Sequence, residues 1–358
     1  MTTTSEAFDE AKAGEFAGAF MNAINGASMI ALASVGSHAG LFDAMAGMPP
    51  STSQAIAGTA GLHERYVREW LGGMVVAKVI DYEPVNQTYH LPAEHAAFLT
   101  TSAGPNNLTT IAQVFPYLGL VQDKLVESFR QGGGVPYASY PHFQEVQMGM
   151  TGPFFEATLV ETVLPMAPGL REKLSAGADA LDIGTGAGHA VNLMATAFPN
   201  SRFTGYDFED DGIRLAREEA RRMGLANARF EVKDVAASVE PGKYDLITAF
   251  EVVHDLAHPQ EVLKAVYDSL KLDGTFLIID IAASSKLEEN IDHPLGPTLY
   301  TFSVFHCMTV SLAQGGAGLG TVVGEQRTTD LLREAGFKNI DVRHVEGDVF
   351  YAYYVVHK

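Results

Sequence analysis

Apolar residues recur at helical spacing from Glu15 to about Thr100, interrupted by short polar stretches at residues 47–51 and 83–87. Ile30 through Phe42 reads as one amphipathic helix, and another starts over Ser51–Ala57, with Ser51 or Ser53 as its N-cap. A third follows Gly61, where Tyr66, Trp70 and Met74 recur at helical spacing and predict a shared face. Two β-rich runs, 79–82 and 88–91, flank a turn and predict a small hairpin. Three helices and a hairpin make a winged helix, assigned to residues 1–100. Helical periodicity continues over 101–170, broken at 132–136 and 151–153, and predicts a helical connector.

After Gly177 the period changes. Short β-rich runs at 180–183, 202–206, 229–232, 246–250 and 275–279 alternate with helix-length segments, the pattern of a parallel sheet covered by helices. Runs at 340–343 and 349–356 complete a seven-stranded sheet whose last pair is a hairpin. The predicted fold is therefore α/β, with a Rossmann-like domain over 171–358 and a mainly helical winged-helix domain ahead of it.

Composition adds limits. A chain of 358 residues that is 47% hydrophobic can bury more than one core, so two lobes are expected. No apolar run approaches the ~20 uninterrupted residues of a membrane helix. The polar, acidic N-terminus lacks the basic start and apolar stretch of a secretory leader, so a cytoplasmic protein without a membrane partner is expected. The single cysteine, Cys307, excludes an intramolecular disulfide and a thiolate-cluster metal site, and a buried inert thiol is its simplest reading. No compact set of histidines and carboxylates stands at ligand spacing, so no metal is expected. A formal net charge of −19 opposes contact with nucleic-acid phosphates.

Candidate chemistry concentrates in the second half. The run Leu181-Asp182-Ile183-Gly184-Thr185-Gly186-Ala187-Gly188 carries a strand into a glycine-spaced turn that opens a helix, where backbone can approach a ligand closely. Asp207 ends the next strand at about the ~20-residue distance from these glycines where an acid meets ribose hydroxyls. Asp234 ends the third strand, placed to accept the exocyclic amine of adenine, while Val235 or Phe208 packs on the ring; the lesser alternative for a loop acid is to cap a helix. The fourth strand runs through Phe250 to His254-Asp255 at the edge where ligands of open α/β sheets bind. A histidine there is suited to general-base work at neutral pH, and Asp255 to capping the next helix.

With these motifs in register, the sequence over about 171–358 resembles class I S-adenosylmethionine-dependent methyltransferases, whose cofactor motifs correspond to the glycine run, Asp207, Asp234 and Tyr244-Asp245-Leu246-Ile247. The whole chain is similar to bacterial methyltransferases with an N-terminal winged helix and to plant small-molecule O-methyltransferases, through Leu41-Phe42-Asp43-Ala44, the Glu64–Leu71 helix and Tyr89-His90-Leu91-Pro92. The resemblance implies S-adenosyl-L-methionine bound by Asp182, Gly184, Thr185, Gly186, Gly188, Asp207, Phe208, Asp234, Val235 and Phe250. It also implies methyl transfer to a small apolar or aromatic acceptor, O-methylation favoured, with His254 as base and Asp280 as its supporting acid. A second acid expected before a late helix is replaced by Gln326, so a base-independent transfer to an amine or thiol stays open. The segment from Ser284 to Gly324, with Tyr300, Phe302, Phe305, His306, Cys307, Met308 and a glycine run at 315–318, is expected to cover the acceptor site or to pack as an ordinary insertion.

By the same resemblance the winged helix serves dimerisation and the acceptor-pocket wall, the segment from Phe8 to Ala23 crossing to a second copy. The rival reading is a transcriptional regulator that senses the methyl donor; the presumed recognition helix offers it Arg65 and Arg68 but also Glu64 and Glu69. An enzyme of this fold that has lost methyl transfer is a further alternative, and a dehydrogenase fits the acid pattern less well.

Overall fold

The structure is a computed structural model describing residues 8–237 and 240–358; the first seven residues of the acidic N-terminus lie outside the described residues. It comprises two compact units, one running to Tyr117 and the other over Leu118–Lys358. The stretch assigned to a connector is thus shared between them.

In the first unit, helix α1 spans Glu10–His38, begun by the Asp9 carboxylate, which accepts from the amides of Ala11 at 3.0 Å and Lys12 at 3.1 Å. It stops at a turn through Ala39 and Gly40, and α2 follows at Leu41–Met45. The single helix expected over 30–42 is therefore two, and the turn redirects Leu41 and Phe42 into the core. Helix α3 spans Ser53–Ala60 and is capped by Thr52, whose hydroxyl accepts from Ala55 N, rather than by Ser51 or Ser53. Those two serines are engaged elsewhere: Ser51 pairs its backbone with Tyr89 and the Ser53 hydroxyl donates to Glu64.

Helix α4, Glu64–Val76, buries Val67, Trp70, Leu71 and Met74, while Tyr66 is 80% exposed. Steps of four overshoot the 3.6-residue turn, so the inward stripe runs i, i+3, i+4, i+7 from Val67 and leaves Tyr66 outside. Strands β1 (Asp81–Glu83) and β2 (Thr88–His90) form the antiparallel hairpin. From Phe16 to Ser37 the α1 helix carries no Asp, Glu, Lys or Arg, and by length and composition it could cross a membrane. That corrects the expectation that no such stretch exists: small Ala, Gly and Ser residues keep it apolar without a run of large side chains.

The second unit holds a seven-stranded sheet: β3 (Asp179–Ile183), β4 (Arg202–Asp207), β5 (Ala228–Val232), β6 (Tyr244–Phe250), β7 (Leu270–Ile281), β8 (Asn339–Arg343) and β9 (Tyr351–His357). Their spatial order is β5-β4-β3-β6-β7-β9-β8, with β9 antiparallel to both neighbours and the remaining pairs parallel. Successive residues serve opposite faces: Leu246, Leu277 and Ile279 pack in one core layer, Ile247, Phe276 and Ile278 in the other. Burial on both sides explains why these strands read as continuous apolar runs.

The covering helices include α5 (Phe143–Thr158), α6 (His189–Ala197), α7 (Asp210–Arg222), α8 (Pro259–Ser269) and α9 (Gly324–Ala335). The break expected at 151–153 does not occur, since α5 runs through Pro153. Proline's clash with the residue before it is eased here, because that residue is Gly152 and has no Cβ.

Candidate active site

The strand order reverses between β3 and β6, which opens a crevice beyond the carboxyl ends of the parallel strands. From β3 the chain turns at Gly184 (φ 63°) and enters α6 at Gly188 (φ 73°). A Cβ on Gly184 would stand 2.6 Å from Val252 Cγ2, and one on Gly188 would stand 2.4 Å from Ala216 Cβ. Backbone angle and packing both select glycine at these two positions.

The amide of Gly186 donates to Asp207 Oδ2 at 2.8 Å, and that of Glu209 donates to Oδ1 at 2.9 Å. Asp207, 7% exposed, is thus locked to the glycine turn with oxygen lone pairs left over. Burial raises its pKa, opposed by the backbone N–H groups of Glu209 and Gly186. Asp182 is more deeply buried; desolvation lifts its pKa to about 7, against the hydroxyl of Thr248, which donates to it at 2.6 Å.

A cavity of about 320 Å³ lies over this edge. The β3 turn lines it with Asp182, Gly184, Thr185, Gly186 and Gly188; β4 contributes Asp207 and Phe208, β5 leads to Asp234 and Val235, and β6 ends in Phe250. All ten residues singled out for a cofactor therefore meet at one cavity. Asp234 also accepts from Ala236 N at 2.9 Å within its own loop, a local turn rather than a helix cap. Asp245, part of the fourth motif, stands at the start of β6, away from the cavity edge, where it holds Lys271 at 2.8 Å and the Asp179 amide at 3.0 Å.

Beyond Phe250 the chain passes through Glu251, a buried non-glycine residue at φ 58°, into a 3₁₀ turn at Val253–Asp255. His254 is 4% exposed and sits behind the cavity wall with Asp280 of β7, whereas Glu251 and Asp255 line the cavity. His254 Nδ1 is 2.5 Å from Asp280 Oδ1, and its backbone N–H donates to Asp280 Oδ2 at 3.2 Å. Its Nε2 lies 3.5 Å from Asp255 Oδ1. Burial disfavours the imidazolium, but the carboxylates of Asp280 and Asp255 outweigh it and hold the histidine pKa well above its ordinary value.

Gln326 binds the backbone of Ser285 at 2.9 Å and the hydroxyl of Ser284, so the second carboxylates about the histidine come instead from Glu251 and Asp255. The Tyr351 hydroxyl donates to Glu251. Nothing in the sequence marks Glu251, because a positive φ at a glutamate has no residue-type signature.

Of the 284–324 segment, Val310 and Gln314 line the cavity. Its glycine-rich end braces the histidine loop: Ala317 N donates to Ala257 O at 2.9 Å and Gly320 N to His254 O at 3.0 Å. His306 stacks on Phe143 at 3.9 Å and meets Tyr140 at 4.8 Å. Tyr137 and Gln144, which line the cavity and are joined by a 2.7 Å hydrogen bond from the Gln144 amide, were not singled out. Their only trace in the sequence is an aromatic residue directly after the Gly132–Pro136 break. Cys307 is 8% exposed beside the His254 ring. The ligand atoms of His254, Asp255 and Cys307 lie within 4.8 Å of one another, brought together by the fold from positions some fifty apart in the sequence.

In the winged helix, Arg65 pairs with Glu69 at 2.5 Å and Arg68 with Glu64 at 3.4 Å, so both arginines are matched within their own helix.

Comparison with known proteins agrees with this anatomy. Residues 27–101 match the family model described as an Rv2258c-like winged HTH domain, and residues 174–336 match that of a methyltransferase domain. The release factor glutamine methyltransferase of Koribacter versatilis is 34% identical over 92 residues, 25% of this chain and 31% of that protein. The curated relatives are matched over 5% to 56% of their own length. A candidate O-methyltransferase from Nostoc punctiforme superposes with a TM-score of 0.73 at 18% identity, covering 95% of this chain and 98% of the other. Human N-acetylserotonin methyltransferase, solved with its methyl donor, gives 0.67 at 18% identity over 100% of this chain and 99% of its own. In this chain a winged helix-turn-helix match thus precedes a methyltransferase-domain match, on a fold shared with these solved methyltransferases.

Proposed function

We propose that this protein is an S-adenosylmethionine-dependent methyltransferase acting on a small molecule, with O-methylation favoured. The observation that carries the reading is Asp207, a buried carboxylate locked by two backbone amides to a turn where added Cβ atoms would collide, in a cavity that also exposes Asp182, Asp234, Glu251 and Asp255. Such a lining suits a ligand with a diol and net positive charge. The residues present fit that cofactor: Asp207 for the ribose hydroxyls, the Gly184–Gly188 turn for close backbone approach, Asp234 for the adenine amine, and Phe208 and Val235 for its ring.

When bound, S-adenosylmethionine supplies a methyl group already activated by positive sulfur. The protein's part is then chiefly alignment and proton handling. Asp280 holds the Nδ1 side of His254 and turns Nε2 towards Asp255 at the cavity edge; because the surrounding carboxylates favour the imidazolium, base work by Nε2 on an acceptor hydroxyl requires the ring to give up that proton first. The reading includes a homodimer through α1, which leaves Phe16, Phe20, Met21 and Ile24 exposed, and a cytoplasmic location. A DNA-reading regulator is disfavoured because Arg65 and Arg68 are neutralised within α4.

The test is calorimetric titration with S-adenosylmethionine and S-adenosylhomocysteine, with Asp207→Ala as control. Saturable binding that weakens by on the order of 10- to 100-fold in the variant is expected from loss of charge-assisted hydrogen bonds. No binding by the unaltered protein overturns the proposal.

A further inference from the structure

His254 is held from one side only. Asp280 takes Nδ1 at 2.5 Å and the backbone N–H at 3.2 Å, which leaves Nε2 facing away from that carboxylate. On the open side stand Asp255 Oδ1, 3.5 Å from Nε2, and Cys307 Sγ, with all three ligand atoms within 4.8 Å of one another. Asp255 Oδ1 is buried and accepts no hydrogen bond, an exception for a buried carboxylate oxygen. His306, 5% exposed and next in sequence to Cys307, likewise leaves Nε2 without a partner, and its ring senses the charges of both Asp255 and His254. Cys307 enters this set from a π-helical turn at Ser303–Cys307, and His254 and Asp255 from the turn after β6, so the constellation is a product of the fold.

The geometry suits a tetrahedral ion. Bond lengths of ~2.0–2.1 Å to nitrogen or oxygen and ~2.3 Å to sulfur put neighbouring ligand atoms roughly 3.3 to 3.6 Å apart. The His254–Asp255 separation of 3.5 Å already matches that range, and the sulfur, at no more than 4.8 Å, needs an inward shift of at most about 1 Å. A carboxylate on the remote nitrogen of a ligating imidazole is the usual outer partner of such an ion, and Asp280 occupies that place. Mixed imidazole, thiolate and carboxylate donors favour zinc-like cations over magnesium or calcium. The carboxylates of Asp280, Asp255 and Glu251 gathered about His254 add a field that attracts a dication.

We propose that His254 Nε2, Asp255 Oδ1 and Cys307 Sγ form a binding site for a thiophilic divalent cation of the Zn²⁺ class, oriented by Asp280, and that the ion switches methyl transfer off by occupying Nε2. On capture the Cys307 S–H bond breaks, its proton goes to solvent and a sulfur–metal bond forms, with nothing oxidised or reduced. The fourth position is open to water, since Asp255 borders the cavity. The switching half rests on the methyltransferase reading; the binding half does not.

The experiment uses the full chain, stripped with chelator and titrated with Co²⁺ while absorption is recorded, followed by displacement with Zn²⁺. One equivalent of Co²⁺ should produce tetrahedral ligand-field bands together with a sulfur-to-cobalt charge-transfer band. Cys307→Ser should lose the charge-transfer band, and Asp255→Asn should weaken Co²⁺ uptake by on the order of tenfold. Absence of the charge-transfer band in the unaltered protein, or its persistence in Cys307→Ser, overturns the site. Should Cys307→Ser fail to fold, unchanged Co²⁺ affinity in Asp255→Asn overturns it equally. Where methyl transfer is measurable, Zn²⁺ should abolish it, and Cys307→Ser should retain basal activity and require on the order of tenfold more Zn²⁺; equal sensitivity overturns the switch while leaving the spectra to judge the site. Cobalt spectra in a protein that binds neither S-adenosylmethionine nor S-adenosylhomocysteine would refute the enzyme reading alone.

Discussion

Asp182 shows how one side chain couples the cavity to pH. Its carboxyl is buried against Thr248, and desolvation lifts its pKa to about 7 from an ordinary ~3.9. Between those two values the folded chain holds a proton that the unfolded chain has released, so this group's contribution to stability is full below the unfolded value and is lost as pH rises towards 7. Ligand affinity should run the other way. A cationic ligand favours the ionised carboxylate, so binding of S-adenosylmethionine should weaken about tenfold from roughly pH 8 to roughly pH 6, and Asp182→Asn should flatten that dependence in calorimetry. Gly184 makes a purely steric case. Gly184→Ala places a methyl 2.6 Å from Val252 Cγ2 at a positive φ and should cost about 1–3 kcal/mol in thermal unfolding. These glycines and acids were legible because the turn and the strand ends demand particular residue types. Glu251 and Tyr137 were not, because their places depend on which remote segment packs beside them.

At the scale of elements, the hydrophobic period located every strand of the main sheet and misjudged where two helical stretches stop. The turn at Ala39–Gly40 divides one predicted helix, and Pro153 fails to divide another because Gly152 precedes it. In α4 the apolar stripe was assigned one residue off at Tyr66, since spacings of four alone cannot separate a face from its edge. Trp70 is the chain's single tryptophan, packed edge-on against Phe42 at 5.2 Å and donating to Leu32 O at 2.8 Å. Its fluorescence therefore reports the first unit alone. In denaturant, Phe42→Ala should destabilise the transition seen by that fluorescence by about 3–5 kcal/mol. A midpoint unmoved by the substitution would contradict the packing described for α2 and α4.

For the whole molecule, the exposed Phe16, Phe20, Met21 and Ile24 on α1 are the expected dimer surface. Light scattering should return twice the chain mass, and Phe16→Asp with Phe20→Asp should return a single chain's mass; a monomeric unaltered protein removes the dimer. A net charge of −19 further predicts no salt-sensitive retention on DNA. By itself the sequence determined the α/β sheet, the winged helix and the glycine-and-acid edge of the cavity, because periodicity, turn chemistry and strand-end position are local properties of a chain. Only the tertiary structure decided that Glu251 and Asp255 supply further carboxylates about His254 while Gln326 binds Ser284 and Ser285, and that Cys307 arrives beside the same imidazole. Those partners lie on different elements, and their distances follow from strand order and packing, which no local pattern encodes.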